Sequence, residues 1–212
     1  MNTPVVYPWQ MPLPNLPAGD QRLVQIVDAA LADANRRSGS WIVCRPGCTQ
    51  CCIGVFSISP LDAARLQQGL VELAHSEPER AARIQARARE SAERLSGQFP
   101  GDPKTGVLDE GEQAEQRFAD FANDEPCPVL DPASGLCDLY TSRPITCRAF
   151  GPPVRSEDGL GVCELCFHGA TDEQIAACEM EVDPEDLESA LLKELEANGR
   201  TGRTIIAFAL AD

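Results

Sequence analysis

Leu23, Ile26, Val27, Ala30, Leu31 and Ala34 return every three or four positions, and that spacing predicts an amphipathic helix over residues 20–37. Ser59-Pro60-Leu61-Asp62 combines a capping hydroxyl, a proline at the first helical position and an acid three residues after the cap, which starts a second helix over 60–74. An Arg- and Ala-rich stretch over 77–97 stops at Ser96-Gly97, and 112–122 restarts helix with Phe118 and Phe121 on one side. Asp183-Pro184-Glu185-Asp186 repeats the capping pattern, opening a helix over 184–197 that Asn198-Gly199 closes. Thr171 to Glu179 carries a shorter helical signal.

The remaining apolar segments read differently. Ile53 to Ile58 is a short run of β-type residues, and "CPVLDPASGLCDLY", 127–140, offers two apolar runs around Asp131-Pro-Ala-Ser-Gly, a hairpin signal. "TSRPITCRAFG" predicts one helical turn with Pro144 at its start. The run Thr204 to Leu210 fits strand and helix equally. Prolines at 4, 8, 12, 14 and 17 break any helix in residues 1–19, leaving a proline-rich arm. The expected fold is mainly α: one helical domain, 20–212, with a cysteine-rich, metal-clasped loop region, a small β-hairpin and a helical C-terminal extension over 171–212. No internal repeat is evident.

Composition sharpens this only in places. A chain of 212 residues with 43% hydrophobic and 24% charged positions can build a proper core, so metal need not be its only source of stability. Aromatics are only 5%, which leaves the core to aliphatic side chains. A formal charge of −15 repels a phosphate backbone and excludes nucleic acid as an expected partner. Five arginines between Arg80 and Arg94 alternate with Glu77, Glu79, Glu90 and Glu93, the pattern of a solvated helix face with mixed ion pairs. The first twenty residues have neither a basic region nor a continuous apolar stretch, and nothing approaches the ~18 residues of a membrane span. A cytoplasmic location without a membrane partner is therefore expected.

In a reducing compartment, ten cysteines point to metal or redox chemistry rather than to disulfides. "CRPGCTQCC", 44–52, places Cys44, Cys48, Cys51 and Cys52 in nine positions. Cys127 precedes Pro128, Cys137 follows Gly135, Cys147 follows Arg143-Pro144, and Cys163 and Cys166 form a C-x2-C pair. Thiolates are soft ligands that suit zinc and iron–sulfur clusters, and neighbouring Gly and Pro fix the tight turns that aim sulfurs inward. The expected ligand set is Cys44, Cys48, Cys51, Cys52, Cys127, Cys137, Cys147, Cys163 and Cys166, converging in space. Adjacent Cys51 and Cys52 should diverge, one of them facing a second metal. Cys178, beside Ala176 and Ala177, reads as a buried small hydrophobe.

Arg143 and Arg148 bracket Cys147. They either offset thiolate charge from behind the ligands or pair with carboxylates. His168 reads as solvent-side and Tyr140 as a core residue.

The order C-x3-C-x2-CC, then Cys127-Pro128-Val129-Leu130, then Gly135, Cys137 and Tyr140, then Arg143, Pro144, Cys147, Arg148 and Phe150, resembles the YkgJ-type or CxxCxxCC cysteine-cluster family across 44–166. The resemblance implies a bound iron–sulfur cluster or zinc on a small helical scaffold. It implies no settled reaction, although a similar cluster occurs in bacterial flagellin lysine-N-methylases. The first gap here is one residue longer than in the commoner spacing.

Two classes of function follow. One is a metal-binding module whose centre is structural, as in a zinc module mediating interactions, or carries electrons or metal between partners. The other is a cluster-dependent enzyme, methylase-like or using the C-x3-C-x2-C spacing of radical S-adenosylmethionine enzymes, for which no barrel pattern or glycine-rich site is present. With His75 and His168 the only histidines, hydrolysis has no apparatus. One zinc or one four-iron cluster takes four ligands, so nine candidates imply two centres or spare thiols, and favour an iron–sulfur cluster over zinc.

Overall fold

The long helical signals all form helices in the computed structural model, which describes residues 16–156 and 159–211; most of the proline-rich arm lies outside the described residues. Helix α1 spans Asp20–Ser38, with Asp20 in its first turn and Arg36 and Arg37 in its last, signs that complement the helix dipole. Gly39, at φ 52°, ends it by donating its N–H to the Asn35 carbonyl. Helix α2, Pro60–Ser76, starts as its sequence dictates, the Asp62 N–H donating to the Ser59 hydroxyl at 3.2 Å. Helix α3, Pro78–Leu95, buries Ala81, Ile84, Ala88, Ala92 and Leu95 along one face. Helix α4 is Glu112–Ala119, α5 is Ile145–Ala149, and α6, Asp172–Ala176, is held by a capping box between Thr171 and Gln174.

Helix α7, Leu187–Ala197, begins later than 184. Asp186 adopts φ 52°, outside the helical region, so the acidic tetrapeptide makes a turn. The Asp183 carboxylate then accepts the Glu188 N–H at 2.7 Å. Helix α8, Ile206–Leu210, decides the ambiguous last run: all five residues are buried, and an element covered on every side has no period to read. Thr204, just before it, pairs with Ile58 in an isolated bridge.

Among the described residues the eight helices are accompanied by two small antiparallel hairpins, so the fold is mainly α as expected. The hairpins are β1 (Gly101–Asp102) with β2 (Val107–Leu108), and β3 (Val154–Ser156) with β4 (Gly159–Gly161). The segment 127–140 keeps its turn, Gly135 donating to the Asp131 carbonyl at 2.8 Å, but pairs through a single bridge, Leu130 to Cys137.

The chain divides into two compact units, Thr49–Pro144 with the segment from Leu192, and Pro17–Cys48 with Ile145–Leu191. In the larger unit, α2, α3 and α8 pack on one another around Ile58, Leu66, Leu70, Ile84, Val129, Leu139 and Leu210. A second cluster joins Leu95, Phe99, Leu108, Phe121 and Phe208, with the rings of Phe99 and Phe208 4.5 Å apart. In the smaller unit α1 packs on α5, and Cys166, Phe167 and Cys178 form a small buried cluster beside Trp41 and Ile42.

The arginines of α3 are not simply a solvated face. Arg80, Arg87 and Arg94 stand seven residues apart on one side of the helix and reach across to the 125–138 segment. Arg80 Nε and Arg87 Nη2 donate to the two oxygens of the Asp138 carboxylate at 2.6 and 2.7 Å, and Arg87 Nε donates to the Pro128 carbonyl at 2.8 Å. Arg94 and the Ser91 hydroxyl both bind Glu125 at 2.6 Å. A buried carboxylate needs compensation, and long side chains reach it from a neighbouring helix as readily as along their own. Because the Arg94 side chain is 56% exposed, Arg94→Ala should cost less than about 1 kcal/mol in urea unfolding, and a larger loss would show that this pair is not solvent-screened.

Candidate metal centre

Two short loops of the smaller unit bring three sulfurs together: Cys44, Cys163 and Cys166 place their thiols within 4.8 Å of one another. The first loop leaves α1 through a single 3-10 turn, Gly39–Trp41. It then makes a reverse turn in which Cys48 donates to the Arg45 carbonyl at 2.9 Å, with Gly47 at φ 89°. Proline followed by glycine is what a type II turn asks for at its two central positions, so Arg45-Pro46-Gly47-Cys48 encodes its own geometry. The second loop folds the Cys163–Cys166 pair back on itself by a 2.8 Å bond from the Cys166 N–H to the Cys163 carbonyl.

Phe167 locks the two loops together. Its N–H donates to the Trp41 carbonyl at 3.0 Å and its ring stacks on Trp41, 6.5 Å between centroids and 13° between planes. It does so at φ 58°, a left-handed conformation that a phenylalanine adopts only at a cost of about 1–3 kcal/mol. Gly151, at φ 116°, closes the other side, where a Cβ would lie 3.4 Å from the Cys44 sulfur.

Cys44 is exposed as a residue, yet its sulfur is crowded: burial first, then the nearby Cys166 and Cys163, push its thiol up to about 12. Burial first, then Cys166 and Cys48, raises the Cys163 thiol, and Cys48 adds to the effect on Cys44. Crowded thiols that resist ionisation alone are relieved by a cation, which takes them as thiolates. The donor set fits one. A tetrahedral zinc with bonds of about 2.3 Å holds its sulfurs about 3.8 Å apart, and the three thiols need only a small contraction to reach that.

The larger unit carries Cys51, Cys52, Cys127 and Cys137, none of which belongs to the group of three thiols within 4.8 Å. Cys52 closes a 3-10 turn, Gln50–Cys52, beside Cys51. The neighbouring Cys52 side chain is the first cause raising the Cys51 thiol, burial the second. Cys127 donates its N–H to the Cys52 carbonyl at 2.8 Å, beside the antiparallel bridge of Ile53 with Pro126. Burial, with smaller contributions from Cys137 and Cys51, pushes the Cys127 thiol up to about 12. Burial also raises Cys137.

The Arg143 guanidinium lies 3.9 Å above the Tyr140 ring and acts on both Cys51 and Cys137, favouring their thiolates. Tyr140 is 59% exposed, so the ring expected in the core is instead a surface platform for this cation. Arg148 is itself buried and binds both carboxylate oxygens of Asp28 on α1, at 2.8 and 2.9 Å. Cys147, also on α5, is half-buried and is not one of the three thiols within 4.8 Å. His168 is exposed, and Cys178 is buried as its alanine neighbours suggested.

Sequence reading missed Asp138 and Arg87, which brace the residues directly after Cys137 and Cys127. The sevenfold spacing of Arg80, Arg87 and Arg94 was the available signal. Nothing in the sequence marks Asp28 as the partner of Arg148.

All ten cysteines are free thiols. No helix among the described residues is long and apolar enough to cross a membrane. A family model named CxxCxxCC, with the description "putative zinc- or iron-chelating domain", matches residues 43–167, more than half of the chain. No curated protein and no solved structure matches it.

Proposed function

The chain belongs to the CxxCxxCC family of zinc- or iron-chelating domains, and from that premise we propose that Cys44, Cys48, Cys163 and Cys166 hold an iron–sulfur cluster in a cytoplasmic electron carrier. The approach of three thiols to within 4.8 Å, from loops more than a hundred residues apart in the chain, is the observation that carries the reading. Bound there, a cluster would supply one-electron exchange.

The protein's own residues do the rest. The turns at Gly47 and between Cys163 and Cys166 set the thiol positions, and Phe167, stacked on Trp41, keeps water from the Cys166 side. Cys44 stands at the exposed edge, where a partner protein has access. The abundance of cysteine beyond what one structural zinc requires also supports iron–sulfur chemistry.

A structural zinc site is the second reading. Paired C-x3-C and C-x2-C loops, each closed by its own turn, are favoured by the spacing of zinc ligands in small metal modules.

Protein purified without oxygen should be brown, with iron and acid-labile sulfide in equal amounts, and should bleach in air. Colourless protein with stoichiometric zinc, after expression with iron in excess, would replace the electron-carrier reading with the structural one. Unchanged metal content in Cys163→Ser would remove this site assignment altogether.

A further inference from the structure

We propose that Val43, Phe150, Val162 and Leu165 form a docking patch around the three-thiol centre of the smaller unit for a basic protein, one whose own contact face is apolar and ringed by lysine or arginine. The inference rests on the reading of that centre as an electron carrier, which gives a partner reason to approach it. Its test needs no electron exchange, so the two can fail separately.

Connectivity fixes the patch. Val43 precedes Cys44, Val162 precedes Cys163 and Leu165 precedes Cys166, and those three thiols lie within 4.8 Å of one another. Phe150 precedes Gly151, at which a Cβ would stand 3.4 Å from the Cys44 sulfur. One residue adds only about 3.8 Å of chain, so segments that converge on one point bring these neighbours with them. All four residues nevertheless stand in solvent, between 36% and 50% exposed. The space beneath is already filled, by Cys166, Phe167 and Cys178 packed against Trp41, Ile42 and Ile175. Apolar residues scattered singly over a surface are ordinary, whereas several gathered round one centre and rimmed by charge mark an interaction site.

Charge selects the partner. The smaller unit carries fourteen carboxylates against six arginines and no lysine, and residues 164–188 hold nine of those carboxylates with no Lys or Arg among them. Arg155 and Arg22 bind two of the nine, Glu179 and Glu185, each at 2.6 Å. Glu164 is exposed within the patch itself, between Cys163 and Leu165. Ile175, packed on the buried cluster, sets exposed Asp172 and Glu173 of α6 alongside the same loop. Arg45, after Cys44, is the opposing charge. Such a field repels a second copy of this chain and an anionic membrane surface, and it draws in a basic protein. Burial of the apolar residues then holds the partner, with the exposed Cys44 edge at the contact.

The probe is cytochrome c, a basic protein with lysines around an apolar haem edge, added to zinc-loaded full-length protein at low and high salt. Amide resonances of residues 43–45, 150–151 and 162–166 should shift on addition and return at high salt, a readout that needs no variant. Val162→Ser combined with Leu165→Ser should weaken binding about tenfold at unchanged zinc and helix content. Glu164→Lys should weaken it about fivefold at low salt, and Arg45→Glu should tighten it. Shifts spread over the acidic surface, with the double serine variant binding as wild type, would mean that net charge alone attracts the probe and would overturn the patch. The same amides shifting on raising the protein concentration alone would assign the patch to a second copy; shifting on vesicles of neutral phospholipid would assign it to a membrane. Either result overturns the basic partner. Docking that persists while the iron form passes no electron leaves the patch standing and removes only the electron-carrier reading.

Discussion

Asp138→Ala is expected to lower the melting temperature by roughly 6 to 12 °C, about 3 kcal/mol in a chain of this size. The Asp138 side chain is only 6% exposed and accepts from two arginines, at 2.6 and 2.7 Å. Its loss leaves two guanidiniums pointing at an apolar gap. They are 33% and 24% exposed, so they can rehydrate in part, which places the cost near the lower end of the range for breaking a buried pair. Arg87→Ala should cost less, because the carboxylate keeps Arg80. An unchanged melting temperature in Asp138→Ala would mean that the network is as well satisfied by water and positions nothing.

Metal removal should be felt most in the smaller unit. A ligand present at a thousandfold its Kd stabilises the folded state by about 4 kcal/mol, and the loops it would clasp have little else beneath them than Cys166, Phe167 and Cys178. Chelation is expected to raise amide exchange at residues 41–48 and 163–178, while α2, α3 and α8 keep their protection. Trp41 reports the same event, because its stacking on Phe167 depends on the Cys163–Cys166 turn. In a Trp9→Phe variant, where Trp41 is the remaining tryptophan, emission should shift to the red as metal leaves and recover when it returns. Exchange in those loops that is indifferent to metal would show that they are held by packing alone.

The helices could be read because their signals are local. Ser59-Pro60-Leu61-Asp62 carries its cap within four residues, Thr171 and Gln174 form a reciprocal cap within one turn, and the apolar stripe of α1 needs no partner to be recognised. The turn at Arg45-Pro46-Gly47-Cys48 is local in the same sense. The late start of α7 and the helical end of the chain were not legible, since Asp186 takes a left-handed φ and α8 is apolar on every side. The exposed ring of Tyr140 was misread for a related reason: a tyrosine in an apolar stretch reads as core unless the cation that covers it is known.

What the sequence determined by itself was the chemistry: thiols in ligand-like turns, a family-level pattern over most of the chain's middle, and a mainly helical scaffold with its capping residues in place. Which thiols meet was decided by tertiary structure alone. Cys44 is 119 and 122 positions from Cys163 and Cys166, whose approach to it rests on the Phe167–Trp41 bond and stack. Cys52 and Cys127 meet through one backbone hydrogen bond that no side chain announces. Spacing along a chain constrains neighbours within a turn or two, whereas closing a long loop costs only a logarithmically growing entropy, so any two cysteine segments are nearly equal candidates until packing chooses between them.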